Sequence, residues 1–427
     1  MKKPNLVLVA ALAAAGVVGV TAAALTPTAV MAAAAQKVSA SVAKPLRAAQ
    51  EAMNAKNWDA AWTAIQEAQG VEPKTPYDAY MVDELGWYVM LQKKDYAGAA
   101  AALERSVNSG FVAPADLPQR LKALAQLNYQ VQNYAKAIEY GNKFLEQSPD
   151  DRDIAVLVAQ SYYLQKDYTG ARTAVQKLIA RPGTPSEQLL LINLRSNFEL
   201  KDRPGTVAAL EQLVRYYPQP KYWEDLLTNQ LYETKGDREL RTLYRLMEQT
   251  STLDKAEEYS EMASALLTGG FPAEAEQILQ RGISANVFTG DGKARAQSDL
   301  DRARSGAAAD SKDLPGADKA LAEAKTGNEM VAIGKLFFSS GEYAKAADAI
   351  QKGLAKGGVT DTDDANALLG VALVRAGKLE EAKAPFAAIK DSKYAKIGQL
   401  WLLYIDTKTA PAAPPETAAA PATPQGG

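Results

Sequence analysis

Two short motifs in the sequence hold the residue types of a serine nucleophile activated by a lysine. Ser41 and Lys44 have the Ser-x-x-Lys spacing, and Lys325-Thr326-Gly327 forms the Lys-Thr-Gly triplet that accompanies it in some acyl-transfer sites. The Ser-Asp-Asn motif that such sites also need is missing between them. Ser41 falls near the predicted start of the mature chain and Lys325 at a predicted helix end. We therefore do not expect these motifs to form a catalytic site.

Two further motifs have residue types suited to a metal ion or a phosphate group. Asp361, Asp363 and Asp364 supply carboxylates, but alanine occupies a ligand position and the required glycine is missing, so an EF-hand loop is excluded. The segment 290–293 is similar to a phosphate loop, yet Ala294 replaces the Ser or Thr that the loop requires. We predict helix capping for the aspartates, a turn for the glycine-rich segment, and no bound metal.

The composition excludes several classes of chemistry. The 427 residues include no histidine and no cysteine, which excludes a Ser-His-Asp triad, a cysteine nucleophile, His/Cys zinc sites and iron–sulfur clusters. Lys plus Arg number 48 and Asp plus Glu 50, so no basic excess points to nucleic acid. A glycan-cleaving site would need two carboxylates about 5 to 10 Å apart, and Glu257 has no evident mate. We expect no catalytic activity and no cofactor.

Polar and aromatic side chains recur at one register of an internal repeat. Aligning the repeats places an amide or a cation on the inner face of the first helix of each, with aromatic residues beside it. Amides can bond a peptide backbone in either sense, and rings can hold its side chains; the alternative is a solvated face with no ligand. The predicted partner-binding residues, called the inner row below, are Gln126, Tyr129, Gln160, Tyr163, Arg195, Gln230, Lys335 and Phe338.

The internal period identifies the elements that must position this row. An aromatic residue, two further residues and an alanine recur, for example at Tyr96, Tyr134, Tyr168 and Tyr343. Clear neighbouring copies are about 34 to 38 residues apart, which is the period of a paired-helix repeat. Before each aromatic anchor lies a pattern of apolar residues three and four apart, typical of a helix. A lone helix pair cannot bury its apolar faces, so neighbouring pairs must stack.

We therefore predict an all-α fold, a right-handed superhelical solenoid of about nine to ten helix pairs. A small residue in the first helix of a pair allows close approach of the second helix, and the aromatic anchor fills the space beside it. These small residues are Ala125, Ala159, Ala263, Gly334 and Gly370.

One segment departs from the repeat and divides the predicted solenoid. Residues 289–316 are rich in Ala, Asp, Gly and Arg, with Leu300 and Leu314 as the only large aliphatic residues. We expect a degenerate repeat here, with a flexible insertion as the alternative. The segment would act as a hinge between an N-terminal solenoid over 36–288 and C-terminal repeats with a capping helix over 317–407.

The two ends of the sequence differ from the repeats. A basic start, an apolar run from Leu6 to Leu25 and small residues up to Ala35 predict a signal peptide over 1–35 and export to the periplasm. The alternative is an uncleaved inner-membrane anchor, because the run is long enough to span a bilayer. Residues 408–427 carry five of the 21 prolines and are predicted to be a disordered Ala/Pro-rich tail.

The anchor phrase, together with the proline that often ends the second helix, resembles the tetratricopeptide repeat (TPR) superfamily from about Val42 to Leu402. A narrower resemblance is to exported TPR proteins that accompany TonB–ExbB–ExbD systems. The segments that carry it are 124–134, 217–223, 259–280, 354–358 and 399–405. The resemblance implies stacked helix pairs and a partner among the periplasmic domains of TonB or ExbD.

We therefore expect a periplasmic interaction scaffold that holds a peptide or protein partner in its concave groove. The resemblance implies an accessory role in a TonB-dependent transport system. The alternative is an adaptor in cell-envelope assembly, in the outer-membrane protein or peptidoglycan machinery. The identity of the partner distinguishes the two hypotheses.

Overall fold

The structure, a computed structural model, describes residues 37–409. Within this range the chain forms α-helices and a short 3₁₀ helix and no strand, which confirms the predicted all-α class. The predicted signal peptide lies outside the described residues. So does most of the predicted tail, since the last helix reaches Thr409 and residues 410–427 are not described. No helix in the described range has the length and apolar character that crossing a membrane requires.

Backbone contacts divide the chain into two compact units, with the division between Thr206 and Val207. Unit 1 contains α1 (Ala40–Asn54), α2 (Trp58–Gly70), α3 (Pro76–Gln92), α4 (Tyr96–Asn108), α5 (Leu117–Gln130), α6 (Tyr134–Gln147), α7 (Arg152–Leu164), α8 (Tyr168–Ile179) and α9 (Glu187–Glu199). Helix α10 (Arg203–Tyr216) includes the division.

Unit 2 contains the remaining helices. They are α11 (Pro220–Glu233), α12 (Asp237–Gln249), α13 (Ala256–Gly269), α14 (Pro272–Ser284), α15 (Asp291–Asp313), α16 (Ala317–Glu323), α17 (Gly327–Ser339), α18 (Tyr343–Lys356), α19 (Thr362–Arg375), α20 (Leu379–Ala387) and α21 (Ser392–Thr409). The 3₁₀ helix Leu314–Gly316 lies between α15 and α16.

The turn inside a helix pair has the same geometry in both units. The backbone N–H of the residue before the second helix donates to the carbonyl five residues earlier, as from Asn133 to Asn128 (2.8 Å) and from Glu342 to Phe337 (2.9 Å). This bond belongs to the Schellman motif, which requires a left-handed residue. That residue is Gln132 or a lysine in unit 1, and Gly270, Gly341 or Gly377 in unit 2.

The second helices of unit 1 share one N-terminal cap. The side chain before each helix accepts a hydrogen bond from the backbone N–H three residues later, which satisfies a donor that the helix itself leaves open. The capping residues are Asn57, Asp95, Asn133, Asp167 and Asp202. The turn and cap together fix the register between the two helices of a pair, so equivalent residues in different repeats can be identified by counting from the cap.

The predicted small residues lie where the paired helices are closest. Ala125 and Ala159 have no exposed surface. A Cβ added to Gly334 would lie 2.5 Å from Ile350 Cγ1 on the second helix, and one added to Gly370 would lie 2.6 Å from the ring of Phe386. Both distances are too short for a side chain, so the prediction that small residues allow close approach is confirmed.

The Ala- and Asp-rich segment folds as α15, a helix of 23 residues. It packs against α13 and α14 and buries only Ala296, Leu300 and Ala303. The division between the units does not fall at this segment. It falls at Thr206, because helices on both sides of the segment pack together in unit 2, including α14 with α17 and α12 with α19.

Candidate partner-binding surface

The inner-row residues of unit 1 lie on the first helices of three consecutive repeats. Gln126 and Tyr129 are on α5, Gln160 and Tyr163 on α7, and Arg195 on α9. Counted from the caps Asn133, Asp167 and Asp202, the amides and the arginine are seven residues back and the tyrosines four. Helices α5 and α7 pack against each other, as do α7 and α9. Equivalent side chains therefore sit side by side on one face of unit 1.

The aromatic members of this row have a consistent local structure. Tyr129 packs edge-to-face against the anchor Tyr134 at 5.8 Å between ring centroids, and Tyr163 makes a tilted contact with Tyr168 at 5.7 Å. Both inner rings are half-buried. Burial raises the pKa of Tyr129, with a smaller contribution from Tyr134, so the phenol is neutral at pH 7 and keeps a hydrogen to donate.

The amides contribute less surface than the sequence analysis implies. Gln126 and Gln160 each expose 9% of their area. The half-buried rings of Tyr129 and Tyr163 therefore offer a partner more contact than the amides beside them.

A further member of the row becomes visible when the repeats are aligned on their caps. Phe198 is four residues before Asp202, at the position of Tyr129 and Tyr163, and it exposes 43% of its surface. Sequence reasoning missed it because its repeat has Arg203 in place of the aromatic anchor on which the alignment relied. Leu91, four residues before the cap of α4, continues the register on α3. The set Leu91, Tyr129, Tyr163 and Phe198 is called the ladder below.

A buried ion pair connects α3 to α5 beneath this surface. Glu84 accepts hydrogen bonds from the guanidinium of Arg120 and from the Ser106 hydroxyl at 2.7 Å. The guanidinium also lies 5.6 Å from the ring of Trp87. Glu84, Arg120, Ser106 and Trp87 are all buried, so these groups join the first repeats and offer no surface to a partner.

In unit 2 the chain itself covers this register at Phe338, although Tyr232, four residues before the N-cap Gly236 of α12, exposes 59% of its surface. Phe338 exposes 1% of its surface and packs against Phe271 (5.7 Å) and Tyr343 (5.3 Å). The guanidinium of Arg245, on α12, lies 4.6 Å from the ring of Phe338. Phe338 therefore offers a partner no surface in this structure. The surface of its ring that a partner would contact is covered by Arg245 of α12 and by Phe271 and Tyr343.

The other two predicted residues of unit 2 are also engaged. Lys335 Nζ lies 3.6 Å from a carboxylate oxygen of Asp364. The side-chain amide of Gln230 donates to the Thr234 hydroxyl at 3.4 Å. The structure thus brings together the unit 1 members of the row, whereas in unit 2 Phe338 is buried and the half-buried Gln230 and Lys335 contact neighbouring side chains.

Helix α12, which covers Phe338, is itself buried on nearly every side. Seven consecutive residues, Arg241 to Met247, are buried. Arg241 donates to Asp364 of α19 at 3.0 Å, and the Trp401 indole of α21 donates to the Thr242 carbonyl at 3.1 Å. The helix is therefore held by α19 and α21, which are distant from it in the sequence.

Buried charges around Glu274 complete the contacts of α12. Glu274 lies 2.6 Å from Arg245 and 2.8 Å from Arg375, and Arg375 is also 2.8 Å from Glu248. Burial alone would raise the pKa of Glu274, but the two guanidinium groups lower it to about 2. A polar cavity of about 360 Å³ adjoins Glu248, Glu274 and Arg375. Because these charges already pair with one another, the cluster holds helices together and leaves few free groups for a ligand.

The motifs considered for chemistry have structural roles. Asp361 caps α19 by accepting from Asp364 N–H at 3.0 Å, which confirms the capping prediction. Thr326 of the Lys-Thr-Gly triplet caps α17. The glycine-rich segment forms a turn only at its first residue, because α15 begins at Asp291. Glu257 is exposed in the first turn of α13. Among residues 37–409 no three acidic, His or Cys side chains form a group able to hold a metal ion.

Two family models match parts of the sequence. The YfiO model, described as an outer membrane lipoprotein, matches residues 87–236, and a tetratricopeptide repeat model matches residues 331–395. No curated protein matches the sequence significantly.

Solved structures of repeat proteins also match, at low identity. A tetratricopeptide repeat protein from Parabacteroides merdae is 13% identical, with 78% of this chain and 99% of that chain covered and a TM-score of 0.30. The C-terminal part of a TPR repeat-containing protein from Cytophaga hutchinsonii is 11% identical, with 76% and 99% covered and a TM-score of 0.31. The Naa15/Naa10 complex bound to HypK-THB is 14% identical, with 85% and 66% covered and a TM-score of 0.37. The family models and the helix pairs together identify tetratricopeptide-type repeats in this chain.

Proposed function

We propose that this protein is a non-enzymatic scaffold of the cell envelope that binds an extended segment of a protein partner on unit 1. The observation that carries the proposal is the ladder, whose aromatic members recur on the packed first helices α5, α7 and α9, with Gln126, Gln160 and Arg195 beside them. Repeated side chains one helix apart suit a ligand that runs across the helices and meets the same kind of contact at each step.

The envelope location is supported by two observations. The family that matches residues 87–236 is described as an outer membrane lipoprotein. The N-terminal sequence has the three parts of a signal peptide, which would deliver the repeats to the periplasm.

The partner we propose is a periplasmic domain of a TonB-type energy-transducing complex, TonB or ExbD. It is supported by the sequence segments that resemble exported TPR proteins accompanying such systems. A role in envelope assembly is the second candidate, and the match to an outer membrane lipoprotein family favours it. In both candidate functions the partner binds the same surface of unit 1, and only the identity of the partner differs.

The experiment is site-specific photo-crosslinking in cells that express the full chain at its native level. A photoreactive residue replaces Tyr163, and a matched control replaces the exposed Lys177 on the second helix of the same repeat. We expect position 163, and not 177, to capture a protein that mass spectrometry identifies. Capture of TonB or ExbD supports the transport role, and capture of an assembly factor supports the second candidate. Capture at 177 alone, or at neither position, would overturn the proposed surface.

A further inference from the structure

The turns inside the helix pairs of unit 1 have an unusual residue at their left-handed position. Lysine occupies this position in four of the five pairs, with φ between 54° and 65°, and Gln132 occupies it in the fifth. The left-handed conformation crowds the Cβ of any residue except glycine and therefore costs free energy. The four lysines, called the lysine edge below, are Lys56, Lys94, Lys166 and Lys201.

The geometry of the turn does not require lysine. In unit 2 the same position is occupied by Gly341 and Gly377, whose backbone N–H groups each donate to the carbonyl three residues earlier at 3.0 Å. Glycine makes this turn without the cost that a side chain adds. Backbone strain that a simpler residue would relieve is concentrated at functional positions. The strain in unit 1 therefore points to a use for the lysine side chains outside the turn.

The turn holds three of these lysines directly beside a residue of the ladder. The backbone N–H of the lysine donates to the carbonyl of the ladder residue three positions earlier, so the two residues are fixed next to each other. Each such position combines a ring or an apolar side chain with a cation. The donor and carbonyl pairs are Lys94 with Leu91 (3.0 Å), Lys166 with Tyr163 (3.0 Å) and Lys201 with Phe198 (2.9 Å).

The side chains of the lysine edge are exposed and have no carboxylate partner. Within the part of the chain that the structure describes, none of the four lysines forms an ion pair. The aspartates that follow three of them cap the next helix instead: Asp95, Asp167 and Asp202 each accept from a backbone N–H at 2.9 Å. The exposed Glu199, two residues before Lys201, offsets part of the charge at that turn. The amines of the edge are therefore available to a partner.

We propose that the partner segment held by unit 1 is acidic, with apolar side chains on the ladder and carboxylates paired with the lysine edge. Helices α7 and α9 pack together, so Tyr163 with Lys166 and Phe198 with Lys201 form two neighbouring contacts of this kind. Charged groups that border an apolar contact fix the register of a partner and speed its association. The inference rests on the proposed function and deepens it, because it names the chemistry of the segment that the ladder holds.

A protein segment fits this surface better than an anionic membrane does. Lipid headgroups would meet the exposed amines of the edge but would leave the half-buried rings of Tyr129 and Tyr163 without a contact. A protein segment carries apolar and acidic side chains on one backbone and can reach both.

The first test selects for partner chemistry with a library of random displayed peptides, panned on the purified full chain. We expect the selected peptides to combine Asp or Glu with apolar residues. Their affinity should fall about tenfold when the salt concentration rises from about 0.05 to about 0.5 M, because exposed charge pairs are screened. Selected peptides without an excess of acidic residues, or affinities that do not respond to salt, would overturn the inference.

The second test removes the charges by a change that suits the backbone. Lys166→Gly combined with Lys201→Gly should not lower the midpoint of chemical unfolding, because glycine relieves the strain of the turn. The double variant should weaken a selected acidic peptide about tenfold. Lys166→Arg combined with Lys201→Arg keeps both charges and should change the affinity less than twofold.

The matched control for this variant removes the same charge from exposed helix positions. Lys44→Gln on α1 combined with Lys177→Gln on α8 should leave peptide affinity within twofold of wild type. An equal loss in the control and in the glycine double variant would mean that only the net charge of the protein matters, which contradicts the proposal. So would a glycine double variant that is folded and binds the peptide as tightly as wild type.

Vesicles test the other anionic surface that the lysines could meet. The full chain is sedimented with vesicles of phosphatidylglycerol and phosphatidylethanolamine in equal amounts, and we expect the protein to stay in the supernatant. Sedimentation that Lys166→Gly and Lys201→Gly abolish together would assign the lysine edge to a membrane surface and overturn the inference.

The outcomes distinguish this inference from the proposed function. If position 163 captures the same cellular partner at the wild-type level in the glycine double variant, the inference fails and the proposed function stands. If position 163 captures no partner and panning yields no peptide, both fail.

Discussion

Units 1 and 2 contain the same helix-pair repeat, but equivalent residues on the first helices, such as Phe198 and Phe338, differ in how much of their surface is exposed. In unit 1 the residues four positions before the caps of α4, α6, α8 and α10 are half-buried or exposed, and Phe198 shows 43% of its surface, whereas Met53, before the cap of α2, is buried. In unit 2 the equivalent Phe338 shows 1%, because Arg245 and its neighbours cover it. The comparison indicates that the repeat alone does not decide whether this register is a binding surface. What decides is whether another helix of the chain lies over it.

Charge explains why α12 occupies this position in unit 2. Its arginines at 238, 241 and 245 follow the spacing of one helix stripe. Their acceptors are Asp361, Asp364 and Glu274, and each pair lies within 3.0 Å. Removing these ion pairs by mutation tests how strongly they hold α12 over Phe338.

The largest effect is expected from Glu274→Ala. The variant leaves Arg245 and Arg375 without their shared carboxylate in a buried site, and removal of one partner from such a pair costs about 3 to 5 kcal/mol. Chemical unfolding followed by hydrogen exchange in α12 measures the loss. The control is Glu276→Ala on the same helix, whose partner Arg304 is 3.4 Å away and half exposed; it should cost less than about 1 kcal/mol. Similar losses in both variants would show that the cluster does not hold α12.

Phe338→Ala should cost about 3 kcal/mol or more in free energy of unfolding, because it empties a buried ring site. It also removes the ring beneath Arg245 and Arg375. The equivalent change in unit 1, Tyr163→Ala, should cost about 1 kcal/mol, since that ring is half-buried and loses mainly its tilted contact with the ring of Tyr168. Equal costs would contradict the contrast between the units.

Lowering the pH should progressively weaken the ion pairs of Glu274 with Arg245 and Arg375, because the carboxylate becomes protonated. The carboxyl of Glu274 has a pKa of about 2 in the folded chain, below its ordinary value of 4.5. Its contribution to stability is therefore complete above about pH 4.5 and is lost as the pH falls toward 2; the shift corresponds to about 3 kcal/mol. Comparing wild type with Glu274→Gln between pH 6 and 2 isolates this residue. If the difference in unfolding free energy between the two proteins did not change with pH, Glu274 would not titrate as described.

Much of the repeat architecture could be predicted from the sequence. Anchors such as Tyr134 and Tyr343, and small residues such as Gly334 and Gly370, mark each helix pair, because close packing of two helices restricts both positions. Counting from those anchors also placed Gln126, Tyr129, Gln160 and Tyr163 at one register. These features are local, since they depend on contacts within a pair or between adjacent pairs.

The burial of Phe338 beneath α12 could not be predicted in the same way. Thr242 bonds to Trp401 and Tyr394 across more than 150 residues, and Arg241 bonds to Asp364 across 123. No repeat period connects such positions. Phe198 was missed for a different reason: its repeat has no aromatic anchor, although its cap, Asp202, keeps the register.

The smallest effect on stability, and the sharpest test of the comparison, is expected from Phe198→Ala. This ring is largely exposed, so its removal should change the free energy of unfolding by less than about 0.5 kcal/mol. If unit 1 presents its register to a partner, the same change should still reduce crosslinking of that partner from position 163 about tenfold, because exposed rings gain burial only on binding. Leu164→Ala, equally exposed and outside the ladder, should reduce neither stability nor capture. A variant that loses stability and capture together would place Phe198 in the core, and the register of unit 1 would then be closed like that of unit 2.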